Sequence, residues 1–267
     1  MLRLYDAHNH LQVEKFAPRR AAILDEARQV GLIRMVVNGA DESDWPAVLE
    51  LARQHPSILP SFGLHPRYIR DRTQRWNEAL RHFLDAVGSA VGEIGLDRWI
   101  EHHDFQDQED VFVWQLRLAA ERNLPVTIHC LRAWGRLLEL LQGNPRPERG
   151  FLLHSYGGSR EMVGCFAKLG AYFSISGQFA LDWKKRQRET FRYIPEDRLL
   201  IETDAPFMPL PEKNMTHRLT DSVSGQPLNH PANIRAVYEF VAELLGKSTE
   251  DLAVQIEQNF LRLFEGF

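Results

Sequence analysis

The sequence predicts a (β/α)8 TIM barrel, and three observations support that prediction. Eight short apolar segments alternate with amphipathic segments of helical period along the 267 residues. Several of the apolar segments are continuous, as in the strands of a parallel sheet that is covered on both faces. Eight evenly spaced strand–helix units fill a chain of this length, which favours a barrel over a doubly wound open sheet.

The strand candidates are short runs rich in aliphatic and aromatic residues. They lie at residues 2–6, 34–38, 58–63, 90–94, 126–129, 151–154, 171–175 and 199–202. Amphipathic segments that predict helices lie near residues 18–31, 44–54, 73–86, 105–123, 132–142, 159–169, 184–193, 231–246 and 249–264. Because no Ser/Gly-rich linker or low-complexity tract interrupts this order, we expect one domain over residues 1–267.

The composition argues against several classes of protein. The chain has 32 Lys and Arg against 36 Asp and Glu, a net charge of −4, and a pI near 6.3. Domains that coat duplex nucleic acid usually exceed a pI of about 9, so any contact with nucleic acid is expected to be local. Two cysteines, Cys130 and Cys165, are too few for a disulfide framework or a cysteine zinc site, which fits a reducing compartment.

Targeting and membrane signals are lacking in this sequence. Runs without charged side chains, such as 169–181, fall short of the roughly 18 residues that would span a bilayer. The first ten residues reach Asp6, His8 and His10 without an apolar stretch that would indicate a signal peptide. We therefore expect a cytoplasmic protein with no membrane partner, and nothing in the sequence indicates an obligate protein partner.

Polar residues collect where the predicted strands end. They are His8, His10, Asn38, His65, Glu93, His129, His154 and Asp204. In a barrel these carboxyl ends converge on one mouth, which is where the active sites of (β/α)8 enzymes lie. The distribution therefore predicts an enzyme.

His8 and His10 are the first specific signal. In a strand, residues i and i+2 point the same way, so both imidazoles can bind one metal ion, although a solvated strand end explains the pair as well. Glu93 lies within VGEIGLD, an otherwise small and apolar strand. A buried carboxylate there needs a cation or hydrogen-bond partners, and a structural salt bridge is the alternative.

His129 in LPVTIHC and His154 in FLLHS each end an apolar run. Taken singly, such a histidine is more often a satisfied core residue, but two on neighbouring strands favour a shared site. Asp204 in LLIETDAP follows the last predicted strand, and Glu202 beside it offers an alternative buried carboxylate.

Four histidines and two carboxylates are enough ligands for two divalent ions, with Glu93 able to bridge them. One ion with three ligands stays open. Two ions about 3.5–4 Å apart can activate water and stabilise the attacking and leaving oxygens of a displacement at phosphorus. The mixed ligand set suits Mg, Mn or Zn and selects none of them.

Eight stretches together resemble one known family along the whole length. They are DAHNHL, GLHP, VGEIGLD, LPVTIHCLRAW, LLHSYGGS, YFSISG, LLIETDAPF and QNFLRLF. In order and spacing they resemble the TatD family of metal-dependent deoxyribonucleases, within the amidohydrolase-like superfamily. The resemblance implies a (β/α)8 hydrolase domain over residues 1–267 that cleaves phosphodiester bonds, often exonucleolytically on single strands.

The resemblance also implies a role for each metal ligand. One divalent ion would be held by His8, His10 and Asp204. The other would be held by His129 and His154, with Glu93 as the bridge, giving two ions per subunit. Asp204 and Glu93 would act in catalysis, since Asp204 would lie beside the site of attack and could orient the water or accept its proton.

Substrate contacts are expected from three residues. The resemblance implies that His65 lies near the substrate phosphate. Arg132 and Trp134 closely follow His129, and a base can stack on an aromatic ring while an arginine pairs with phosphate. The expected substrate is single-stranded DNA.

The chain departs from the family pattern at the rim of the site. Where family members commonly carry a basic residue followed by Asn-Glu-Pro, residues 225–231 read GQPLNHP. Arg67 after His65 and Pro66 is a second difference. Trp99 is a third, because the aromatic residue often comes one position earlier. These changes weaken the substrate assignment more than the metal assignment.

The predicted function is therefore a metal-dependent deoxyribonuclease. The alternative is an amidohydrolase-type enzyme that uses the same metals on a small-molecule or aminoacyl ester or amide, and a third hypothesis is a barrel that binds without catalysis. Many binuclear amidohydrolases bridge their metals with a modified lysine. The fourth predicted strand offers Glu93 and no lysine, which favours the nuclease.

Overall fold

The computed structural model describes residues 2–102 and 104–266 and confirms the predicted barrel. Eight parallel strands form one sheet in which the spatial order follows the chain order. They are β1 (Leu4–Asn9), β2 (Leu32–Asn38), β3 (Ile58–Phe62), β4 (Ala90–Asp97), β5 (Val126–Leu131), β6 (Phe151–Leu153), β7 (Ala171–Ile175) and β8 (Leu199–Ile201).

Helices form the outer layer: seven connect successive strands of the described barrel, and two follow the last strand. They are α1 (Arg20–Gln29), α2 (Trp45–Gln54), α3 (Trp76–Ala86), α4 (Phe105–Arg122), α5 (Trp134–Gly143), α6 (Arg160–Lys168), α7 (Lys185–Phe191), α8 (Ile234–Leu245) and α9 (Thr249–Phe264). Every residue of β3, β4 and β7 is buried, which explains why their sequences are continuous rather than alternating.

Three strands differ from their predicted bounds in a way that matters for the site. The first strand was expected at 2–6 but extends to Asn9, so His8 lies inside it. β4 and β5 continue past the expected 94 and 129 because residues 95–97 still pair with residues 129–131, with Asp97 opposite Leu131. Backbone pairing therefore extends both strands beyond the short apolar runs of the sequence.

The barrel closes between β1 and β8 through a small number of bonds. The Asp204 backbone N–H donates to the His8 carbonyl at 2.9 Å, and the His10 N–H donates to the Ala205 carbonyl at 2.7 Å. The buried Asp6 carboxylate accepts from the backbone N–H of Thr203 at 3.0 Å and from its hydroxyl at 2.5 Å. At this seam between β1 and β8, the Asp6 side chain therefore replaces part of the hydrogen bonding that backbone groups make between the other strands.

Side chains of the two C-terminal helices make hydrogen bonds to backbone groups beside the seam. The Tyr238 hydroxyl accepts from the Tyr5 N–H and donates to the Tyr5 carbonyl, both at 3.0 Å. The Asn259 amide donates to the carbonyls of Glu196 and Leu199 at 2.7 and 2.8 Å. These contacts explain why two polar residues are buried in helices that otherwise present apolar side chains to the barrel.

The long loop after β8 contains a hairpin whose strands have two residues each, β9 (Leu219–Thr220) paired with β10 (Pro227–Leu228). The sequence did not predict this hairpin. Strands this short carry no detectable alternation. In the part of the chain that the structure describes, no helix combines the length and apolar character needed to cross a membrane.

Candidate active site

The predicted polar residues converge at the carboxyl ends of the strands. His8, Glu93 and His129 project from β1, β4 and β5, while the others lie just beyond a strand. A cavity of about 490 Å³ opens there, and its wall includes His10, His65, Glu93, His129, His154 and Asp204. Because parallel strands of a barrel end on one rim, residues far apart in the sequence meet at this mouth.

Four polar atoms from β1, β4 and the end of β8 face one point. The Nε2 atoms of His8 and His10 lie 3.1 Å apart. Glu93 Oε2 lies 3.4 Å from each of them, and Asp204 Oδ1 lies 3.5 and 3.4 Å from them. Ligands at 2.0–2.1 Å around a tetrahedral ion are separated by roughly 3.3–3.4 Å. The spacing fits a single divalent cation.

The other oxygen of Glu93 faces a second group. Glu93 Oε1 lies 3.0 Å from His129 Nδ1 and 3.0 Å from His154 Nε2, and these two nitrogens are 3.4 Å apart. His65 Nε2 lies 3.5 Å from the same oxygen. Glu93 therefore directs one oxygen to each of two histidine sets, as a carboxylate shared by two ions would.

Outer contacts orient these imidazoles. His10 Nδ1 lies 2.8 Å from the Asn38 carbonyl, His129 Nε2 lies 3.2 Å from Asp97 Oδ2, and His154 Nδ1 lies 3.4 Å from Glu202 Oε1. The contacts of His10 and His129 each engage one ring nitrogen with an acceptor, whereas His154 Nδ1 only lies close to Glu202. In all three residues the other ring nitrogen is directed at the central carboxylates. This is the usual arrangement around metal-binding histidines.

An unpartnered atom gives a further test of whether a cation fits. Asp204 Oδ1 is buried and makes no hydrogen bond, and neither does His8 Nδ1. Burying a carboxylate oxygen without a partner is costly, and a divalent cation at the point that Asp204 Oδ1 faces would remove that cost.

The electrostatics of the cluster favour added positive charge. Burial raises the pKa of Glu93, but electrostatic interaction with the imidazoles of His65, His154 and His8 outweighs burial and holds that pKa well below its usual range. Burial lowers the pKa of His10, yet the nearby carboxylates of Asp204 and Glu93 raise it to about 10. The carboxylates therefore require compensation, either by protons on the histidines or by cations.

The three predicted substrate residues occupy different places. His65 lines the cavity, and its Nδ1 accepts from the Arg67 N–H at 3.1 Å. Arg132 lies outside the cavity wall, exposed at the rim, with its guanidinium 4.4 Å from the Trp99 ring centre. Trp134 packs edge-on against Tyr156 and Phe166 at 4.8 and 6.1 Å, so its proposed contact with substrate stays a prediction.

Two buried carboxylates that matter here were not predicted. Asp97 holds His129, and Asp6 holds the seam beside His8 and Asp204. Asp97 ends the VGEIGLD stretch and Asp6 begins the DAHNHL stretch, so their positions in these motifs were the available signal. Glu202, the alternative buried carboxylate, lies behind His154, and its carboxylate forms with His8 and His154 another group whose spacing could hold a metal ion.

Comparisons with known proteins identify a family that matches almost the whole chain. The family model described as TatD related DNase matches residues 5–265. A "3'-5' ssDNA/RNA exonuclease TatD" of Erwinia tasmaniensis is 32% identical over 265 residues, covering 98% of this chain and 99% of that one. The "uncharacterized metal-dependent hydrolase YabD" of Bacillus subtilis is 30% identical, covering 98% of each chain.

A solved structure shows the same architecture. The crystal structure of YjjV, a TatD homologue from Escherichia coli, superposes with a TM-score of 0.88 at 28% sequence identity, and the match covers 98% of both chains. The likeness therefore extends over nearly the whole chain.

Proposed function

Because the chain belongs to the TatD family of metal-dependent hydrolases, enzymes that act on ester bonds, we propose that it cleaves the phosphodiester bonds of single-stranded DNA from one end. The observation that carries this proposal is the placement of Glu93, whose two oxygens face separate histidine sets. The Erwinia relative is named as an exonuclease of single-stranded DNA and RNA, which supports the choice of substrate.

The proposed site holds two divalent ions. His8, His10, Asp204 and Glu93 Oε2 would hold one, and His129, His154 and Glu93 Oε1 would hold the other. When bound, such a pair supplies a nucleophilic water at neutral pH and neutralises the charge that develops on the phosphate oxygens. Mg, Mn and Zn are all compatible with these ligands.

Asp204 is the proposed base. It lies beside His8 and His10 at the cavity wall, so its carboxylate can orient the attacking water and accept its proton. Backbone contacts across the seam hold it there, since its N–H donates to the His8 carbonyl. Glu93 lies between the two histidine sets and would hold them in place around the reacting phosphate.

His65 is the proposed donor to the phosphate. Burial lowers its pKa to about 4, so the ring is neutral near pH 7. Because Nδ1 accepts from the Arg67 N–H, the proton resides on Nε2, which faces Glu93 and the cavity. A neutral N–H at this place can hold a phosphate oxygen without repelling nearby cations.

Local positive charge at the mouth supports an anionic substrate. Among residues 2–102 and 104–266, the side chains of Arg67 and Arg132 have no carboxylate partner, whereas Arg72 and Arg136 form close ion pairs. Arg67 lines the cavity and is exposed. Such guanidinium groups can bind phosphate in a protein whose overall charge is negative.

The test is digestion of an end-labelled single-stranded oligonucleotide by the wild type and by Glu93→Gln, with Mg, Mn or Zn supplied. We expect stepwise shortening by the wild type. The variant should lose more than the roughly 10- to 100-fold that removal of an outer contact costs, and its bound metal should fall. Exposed Glu250→Gln is the matched control and should behave as the wild type.

Equal digestion by the wild type and Glu93→Gln would point to a contaminant and contradict the proposal. If the wild type hydrolysed only ester or amide substrates, and Glu93→Gln lost that activity, the substrate would be a carbonyl compound. That result would support the proposed metal site and contradict the proposed nuclease activity.

A further inference from the structure

An exposed tryptophan stands at the rim of the cavity. The side chain of Trp99 is 61% exposed, which is unusual for so large an apolar ring. It follows β4, whose last residue, Asp97, lines the cavity. None of the roles proposed above uses this ring, so its exposure needs a separate explanation.

Trp99 is tied to the site through Asp97. The Trp99 N–H donates to Asp97 Oδ1 at 2.7 Å, and the other oxygen of that carboxylate lies 3.2 Å from His129 Nε2. One side chain therefore positions both a proposed metal ligand and the segment that carries the indole. Through this shared contact with Asp97, Trp99 is held close to His129 and the rest of the cluster.

Arg132 meets Trp99 at the top of the neighbouring strand. Asp97 pairs with Leu131 in the β4–β5 register, and the Arg98 N–H donates to the Leu131 carbonyl at 3.0 Å. Trp99 follows Arg98 and Arg132 follows Leu131, so both lie just beyond the ends of these two strands. Arg132 adopts a φ of 54°, and its guanidinium covers the indole at 4.4 Å from the ring centre.

The indole of Trp99 and the guanidinium of Arg132 are both available to bind a ligand. The guanidinium lies over the ring, and Trp99 as a whole stays 61% exposed, so much of the indole is accessible to solvent beside it. Within the described chain, Arg132 makes no ion pair or side-chain hydrogen bond, so its N–H donors are uncommitted. An aromatic face next to free guanidinium donors matches a nucleobase joined to its phosphate.

We propose that Trp99 and Arg132 form a nucleobase subsite, in which an unpaired base of the strand stacks on Trp99 and Arg132 binds the adjoining phosphate. The proposal rests on the proposed phosphodiesterase function and specifies how its substrate is recognised. Bases in a duplex are already stacked on their neighbours, so the subsite selects single strands. It is not specific for base sequence, because every base offers a π face.

The test compares a single-stranded oligonucleotide with an abasic strand of the same length. We expect Trp99→Ala to raise the KM for the normal strand roughly 5- to 100-fold, the range that loss of one base–aromatic stack implies. The preference for the normal over the abasic strand should fall by the same factor, since the abasic strand has no base to stack. Trp99→Phe should restore most of that preference.

The matched control is Tyr193→Ala. Tyr193 is 56% exposed and also carries an arginine, Arg160, at 5.4 Å, but it lies between α7 and β8, in a segment that contributes no residue to the cluster. Its substitution should leave the preference unchanged. Thermal unfolding of each variant checks that the barrel is intact.

An unchanged preference in Trp99→Ala, with digestion by the wild type intact, would overturn the subsite and leave the proposed function standing. An equal loss on both strands would also overturn it, because it would indicate damage to the cluster rather than a lost stack. Failure of the wild type to digest either strand would contradict the proposed function itself and the subsite with it.

Discussion

Glu202 has no exposed surface and lies on the far side of His154 from the cavity cluster. Its Oε1 is 3.4 Å from His154 Nδ1, and its Oε2 accepts from the Ser174 hydroxyl. Held by Ser174, this carboxylate lies against one edge of the His154 ring while Nε2 faces Glu93. We therefore infer that Glu202 positions His154.

Glu202→Gln should weaken metal binding roughly 10- to 100-fold, because an amide holds the imidazole less firmly and supplies no negative charge behind it. Titration calorimetry with Mn or Zn measures the affinity and the number of ions bound. Ser174→Ala should produce a smaller loss in the same direction, and exposed Glu196→Gln should produce none. Wild-type affinity in Glu202→Gln would show that His154 is held without this carboxylate.

At the scale of elements, the entry to α8 depends on a buried histidine. His230 Nδ1 accepts from the Ala232 N–H at 3.0 Å, which caps the short helix Pro231–Asn233 that leads into α8. His230 Nε2 lies 2.9 Å from Glu26 Oε2 on α1. Burial lowers the pKa of His230 to about 4, although the Glu26 carboxylate opposes that shift.

The lowered pKa of His230 predicts a loss of stability in acid. Below about pH 6.5 the unfolded chain binds a proton on this imidazole that the folded chain does not. The free energy of unfolding from this group is therefore complete above that pH and declines as the pH falls towards 4, by up to about 3 kcal/mol.

Denaturant unfolding at pH 7 and pH 4.5 measures this loss. His230→Asn retains an acceptor for the Ala232 N–H but does not titrate, so its loss between the two pH values should be smaller than that of the wild type by about 2 kcal/mol. Exposed His82→Asn should lose as much as the wild type. The same loss in His230→Asn and the wild type would exclude His230 as the titrating group.

At the scale of the whole molecule, the metal cluster and the barrel core are separate sources of stability. The core is a continuous set of apolar side chains from the strands and helices. The cluster instead brings ionised carboxylates together at the mouth, where they need compensating charge. Removal of metal should therefore leave the barrel folded but less stable.

Chelation followed by return of the ion tests this expectation. At 100 times the dissociation constant, a ligand that binds only the folded state adds about 2.7 kcal/mol. For a chain of this size that corresponds to a rise in Tm of roughly 5–10 °C. Glu93→Gln should show a much smaller rise. Identical Tm values with and without metal in the wild type would contradict a cation site at the cluster.

The sequence alone was sufficient for the barrel and for the set of residues at its mouth. The eight strands were predictable because the spacing of apolar residues is a local feature of the sequence. The convergence of the residues that follow them was predictable because parallel strands of a barrel finish on one rim. His8, His10, Glu93, His129 and Asp204 could be named on that ground. The hairpin β9–β10 and the exact strand ends could not, because short strands and paired polar residues lack a distinctive pattern.

The tertiary structure alone decided how those residues face one another. Glu93 directs one oxygen to each histidine set, Asp97 supports both His129 and Trp99, and Glu202 stands behind His154. Each of these contacts joins side chains from different parts of the barrel or depends on a side-chain direction at a strand end. Periodicity specifies the face of a strand on which a residue lies, but the register between strands determines which atoms meet.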